Sequence, residues 1–95
     1  LVDEKLLDFA GALAVALTGA PDSYPDFSYA TYEGNVAELR ESWAIARLNI
    51  KSDIDKASFI DTTLEQAIAA FDAGDKARGR NCILAIYNLG VKDLR

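Results

Sequence analysis

Apolar positions along this chain recur with the 3.6-residue period of helices, and the alternation typical of strands is almost absent. The first stripe, Leu6, Phe9, Ala10, Leu13 and Leu17, predicts a helix that starts after Asp3 and ends near Thr18. Asp3 is a good N-cap and Gly19 a good stop. Its back face holds Asp8, Gly11, Ala12 and Val15, which are small and barely polar. A helix so weakly polar ordinarily packs on two sides, so it is expected at the centre of a bundle or in an oligomer interface. A long connection then runs from Gly19 to about Thr31, holding Pro21, Pro25 and the aromatic cluster Tyr24, Phe27, Tyr29 and Tyr32. Loops of that length are often functional or packed by their own side chains.

The second helix is expected to begin between Tyr32 and Asn35 and to run as far as Ser58. Val36, Leu39, Trp43, Ala46, Ile50, Ile54 and Ala57 form its core stripe. At 100° per residue that stripe is about 80° wide, and Ile45 and Leu48 fall nearly opposite it. They leave an apolar spot, with Ala44, on the face that should be solvated. Thr62 to Glu65 reads as a capping box opening a third helix, with Leu64, Ala67, Ile68 and Phe71 buried and Gly74 as its end. Asp75 caps a fourth helix reaching Leu89, lined by Gly79, Cys82, Ile86 and Leu89. Gly79 inside a helix costs about 1 kcal/mol relative to alanine, which suggests close approach of a neighbour there. Val91 to Arg95 reads as a tail.

The fold class is therefore all-α: a compact bundle of about four helices, with a long aromatic loop between helices 1 and 2. Residues 1–95 are read as a single domain, and the composition, 51% hydrophobic and 26% charged, is that of a globular chain. At this length one core is adequate but not generous. Burying the apolar back of helix 1 in a homodimer would help.

The net charge of −5 changes the picture because of where it sits. Residues 1–35 carry six acids, Asp3, Glu4, Asp8, Asp22, Asp26 and Glu33, against Lys5, whereas from Val36 onward nine acids balance nine bases. An acidic chain repels phosphate backbones and anionic bilayers, so neither nucleic acid nor membrane is an expected partner. Leu6 to Ala20 is apolar and ends in small residues, but its flank Asp3-Glu4-Lys5 is net negative where a signal peptide is positive. The chain starts at Leu1 rather than Met, so upstream sequence is not excluded. With one cysteine, Cys82, the default expectation is a cytoplasmic protein. The lack of histidine excludes Ser-His-Asp and Cys-His catalysis, and the single thiol excludes intrachain disulfides and thiolate zinc sites.

Catalysis would then rest on carboxylates. Glu38 and Glu41 share a helix face, and Asp72 and Asp75 form a second acidic pair; facing each other, the pairs could hold magnesium for nucleotide hydrolysis. In these four residues the chain resembles the all-α NTP pyrophosphatases of the MazG type, which use paired acidic motifs on neighbouring helices. The resemblance implies a magnesium-dependent hydrolase. The second pair departs from the pattern by straddling Gly74 and lacking a leading glutamate.

Other motifs are weaker. Gly74 to Asn81 has P-loop spacing but puts Arg80 and Asn81 at the decisive lysine and hydroxyl positions. Lys76, Arg78 and Arg80 still gather three cations at a helix N-terminus, where a phosphate or an acidic surface would be welcome; Asp72, Asp75 or Glu65 could offset them instead. Asp53 to Leu64 imitates a calcium loop but lacks the turn glycine and the final bidentate glutamate. Ala85 to Gly90 resembles the start of a tetratricopeptide repeat and Ala67 to Asp75 the end of one, without a recurring period.

The aromatic loop is the strongest binding feature of the sequence, since tyrosine and phenylalanine supply contact area at little entropic cost. The alternative is that it lies across the bundle as a lid. Trp43, on the stripe, is expected in the core. The preferred reading is a small acidic helical interaction module that acts by binding another protein chain, possibly a second copy of itself, and needs no cofactor. Immunity proteins, antitoxins, inhibitors and adaptors are the analogy. Tyr24, Phe27, Tyr29, Tyr32, Ile45 and Leu48 are the expected contacts. The hydrolase and an anion-binding bundle are the alternatives.

Overall fold

Four helices follow one another in the computed structural model, which describes residues 3–25 and 30–95. They are α1 (Glu4–Gly19), α2 (Tyr32–Arg47), α3 (Ile54–Asp72) and α4 (Lys76–Tyr87), with a 3₁₀ turn at Val91–Asp93. No strand occurs among the described residues. Three of the four starts, those of α1, α2 and α4, carry a side-chain cap. Asp3 Oδ1 accepts from the amides of Lys5 and Leu6 at 2.9 and 3.3 Å, Thr31 Oγ1 from Gly34 at 3.0 Å, and Asp75 Oδ1 from Arg78 at 3.2 Å.

α1 and α2 run antiparallel, with Ala12 beside Asn35 and Phe9 beside Trp43, and so do α2 and α3, with Tyr32 beside Asp72 and Trp43 beside Asp61. α1 packs closely on α2, α3 on α4, and α4 returns against α1 to close the bundle. Phe9 from α1 meets Trp43 from α2 with ring centroids 5.2 Å apart. At the α3–α4 contact Gly79 lies under the ring of Phe71, where a Cβ would sit 2.5 Å from the ring. That close approach is what the glycine suggested. α2 and α3 are bridged instead by long polar side chains. Tyr32 Oη donates to Asp72 at 2.7 Å, Arg40 forks onto Glu65 at 2.8 and 3.3 Å, and Trp43 Nε1 and Arg47 Nε converge on Asp61, each at 2.8 Å. The core joins Phe9 and Leu13 of α1, Leu39 and Trp43 of α2, Ile60 and Leu64 of α3, and Ile83 and Ile86 of α4. Among the described residues no helix is long and apolar enough to cross a membrane.

Three sequence expectations need correction. The second helix does not reach Ser58: it stops at Arg47, and the chain turns through 48–53 before α3 begins at Ile54. The break is held from elsewhere, because the amides of Lys51, Ser52 and Asp53 all donate to the main-chain oxygen of Arg95 at 2.9–3.1 Å, and Arg95 N returns a bond to Asp53 Oδ2 at 2.8 Å. Thr62 to Glu65 opens no helix. It lies inside α3, with Thr63 buried and Glu65 spent on Arg40. Finally, Val91 to Arg95 is no tail, since Val91 and Leu94 are buried in the core.

Candidate functional site

The back of α1 forms one wall of a groove on the surface. At 100° per residue, the turn that buries Leu6, Phe9, Leu13 and Ala16 puts Leu7, Gly11 and Val15 outside. Leu7 and Val15 are 42% and 40% exposed, and nothing among the described residues lies within 4 Å of a Cβ built on Gly11. α1 thus packs against α2, α4 and the 3₁₀ turn while Leu7, Gly11 and Val15 stay partly exposed on its back. The N-terminal half of α2 and the residues before it, Ala30, Thr31, Gly34 and Glu38, form the opposite wall of a groove of about 530 Å³.

Asn35 fixes the base of this groove. Its side chain is buried, donates to the Ala12 carbonyl at 3.1 Å and accepts from Tyr24 Oη at 2.8 Å. One amide thus ties α1, the loop and α2 together, and its hydrogen-bonding capacity is used inside the protein. The rims are acidic. Asp8 stands on the α1 side with a 3.6 Å contact to Lys5, and Glu38 on the α2 side. Both cations of α2, Arg40 and Arg47, turn the other way to pair with Glu65 and Asp61, so they do not offset Glu38.

The aromatic residues divide. The Tyr24 ring covers Gly19, where a Cβ would come within 2.5 Å of it, and burial raises the phenol above its ordinary range. Tyr32 stacks edge-on against Phe71 at 6.1 Å; burial first, then its hydrogen bond to Asp72, pushes its phenol strongly upward. Both are partly buried and pack against the core. Phe27 and Tyr29 lie outside the described residues. Ile45 and Leu48 are 39% and 72% exposed on the outer face of α2, as their spacing predicted.

The cationic cluster is largely occupied. Lys76 Nζ reaches Asp22 at 3.0 Å and Ser23 Oγ at 2.8 Å, while Arg80 donates to the carbonyls of Ala20 and Thr18 at 3.1 and 3.4 Å. Arg80 therefore satisfies the C-terminal end of α1. Asp22, not Asp72 or Glu65, is the carboxylate that offsets Lys76, and its pKa is lowered by that bond. Arg78 is exposed.

The four carboxylates of the hydrolase alternative are not brought together. Glu38 borders the groove, Asp72 accepts from Tyr32, Asp75 caps α4, and Glu41 is exposed on α2. Among the described residues no group of three or more acidic or thiol side chains is placed to hold a metal ion.

Sequence reasoning named the back of α1 but missed the opposite wall, Gly34 and Asn35. The available signal was Asn35 itself, one position before the stripe residue Val36, where a buried amide needs partners. Comparison of the chain with protein-family profiles, curated proteins and solved structures returns no match.

Proposed function

We propose that this chain is a small helical interaction module that works by binding another protein, and that the groove between α1 and α2 is its contact surface. The observation that carries the reading is the uncovered back of α1. Leu7 and Val15 are held out of the core beside Gly11, next to an opening large enough for several side chains. Contiguous apolar surface of this kind, rimmed by charge, has the make-up of an interface with a dry centre and a polar edge. Ile45 and Leu48 extend the same outer face of α2 and add a secondary contact. Tyr24, bonded to Asn35, supports the surface from behind. A cytoplasmic setting is part of this proposal.

Site-specific photocrosslinking tests it. A photoreactive residue at Val15 in host extract should give a discrete adduct with one partner. The same residue at Gln66, an exposed α3 position, should not. Equal labelling from both positions, or none from Val15, contradicts the reading.

A further inference from the structure

We propose that the partner element seated in the α1–α2 groove is a basic amphipathic helix, an inference that rests on the interaction reading above. Three observations converge on that chemistry. The first is backbone bookkeeping. The α1 wall is helical throughout and the α2 wall is helical from Tyr32 onward, with no strand among the described residues, so an extended segment would find no sheet edge to join, whereas a helix brings its own bonds satisfied.

The second observation is the pair of glycines. Gly79 and Gly19 are each demanded by an aromatic ring of this chain, but Gly11 is not: among the described residues a Cβ there meets nothing within 4 Å. A mid-helix glycine with no internal reason is an uncompensated weakness of α1. Gly34 stands on the opposite wall, with only Thr31 Oγ1 near its Cβ position. Together they leave room for another helix axis to come close.

Charge is the third. Asp8 and Glu38 line the groove; Lys5 contacts Asp8 at 3.6 Å, while the two cations of α2, Arg40 and Arg47, are committed to α3 and do not offset Glu38. A second copy of this chain placed across a two-fold axis would set these acidic rims against themselves. Lysine or arginine flanking an apolar stripe complements them, with small or branched apolar side chains entering between Leu7 and Val15.

The probe is a fluorescent helical peptide with a leucine/alanine face flanked by lysine and arginine, alongside the same peptide with glutamates replacing the cations. Anisotropy should show saturable, salt-sensitive binding of the basic peptide alone. It should weaken by about tenfold or more in Asp8→Lys/Glu38→Lys and be lost in Gly11→Leu, with both variants keeping their helical circular dichroism and melting. Equal binding of both peptides overturns the charge inference while leaving the groove as an interface. Binding of neither peptide, with sedimentation showing a dimer that Gly11→Leu dissociates, overturns it in favour of self-association. If neither peptide binds and the chain sediments as a monomer, the inference fails; the Val15 crosslink then separately decides the interaction reading.

Discussion

At the scale of single residues, two helical glycines make opposite predictions. Gly79 lies under Phe71, a buried ring with little freedom to move, so Gly79→Ala should destabilise the fold by about 1–3 kcal/mol despite alanine's better helix propensity. Gly11 faces open space, so Gly11→Ala should stabilise the fold by up to about 1 kcal/mol. Urea melts of the two variants check this. If both shift in the same direction, the assignment of one glycine to packing and the other to a contact surface is wrong. Asn35 illustrates the same scale from the polar side: a single buried amide, donating to α1 and accepting from Tyr24, ties α1 to α2 at the base of the groove.

At the scale of elements, the outer face of α2 is expected to be dispensable for folding. Leu48→Glu should change stability by no more than about 0.5 kcal/mol, because Leu48 is 72% exposed, and Ile45→Glu, at 39% exposure, by about 1 kcal/mol at most. A lowered melting temperature with unchanged sedimentation would place them in the core instead. Element type was legible throughout, because period-3.6 stripes, Asp3, Asp75, Gly74 and Gly90 are local signals. The two glycines do take positive φ, 83° and 72°. The break between α2 and α3 was not legible. Ile50 and Ala57 remain buried on either side of it, so the stripe reads straight through, while the turn is held by Arg95, which is remote in sequence. Similarly, Thr62 to Glu65 has the letters of a capping box, but helix 3 was already under way. The bare back of α1 could be seen in the sequence as a face. That α2 would wall it into a groove could not, because the register of two helices depends on Asn35, Tyr24 and the Phe9–Trp43 contact.

For the whole molecule, the polar bridge between α2 and α3 sets an alkaline limit. Unfolded tyrosine titrates near pH 10, while Tyr32 and Tyr24 hold their protons above that value in the folded state. The unfolded chain therefore binds fewer protons there. The stability these groups contribute is complete below about pH 10 and declines as pH rises toward their folded values. Urea midpoints at increasing pH should fall above about pH 10, and Tyr32→Phe should flatten that fall; an unchanged slope would remove Tyr32 from the account. Arg40 and Arg47 pair toward α3, and Lys76 and Arg80 toward the end of α1 and the loop behind it, so none of these four cations lines the groove that carries Asp8 and Glu38. Amide chemical-shift mapping with the basic amphipathic peptide tests this most directly. The account predicts saturable shifts concentrated on Leu7 to Val15 and Gly34 to Glu38; shifts centred on Ile45 to Phe59, or on α4, would contradict it.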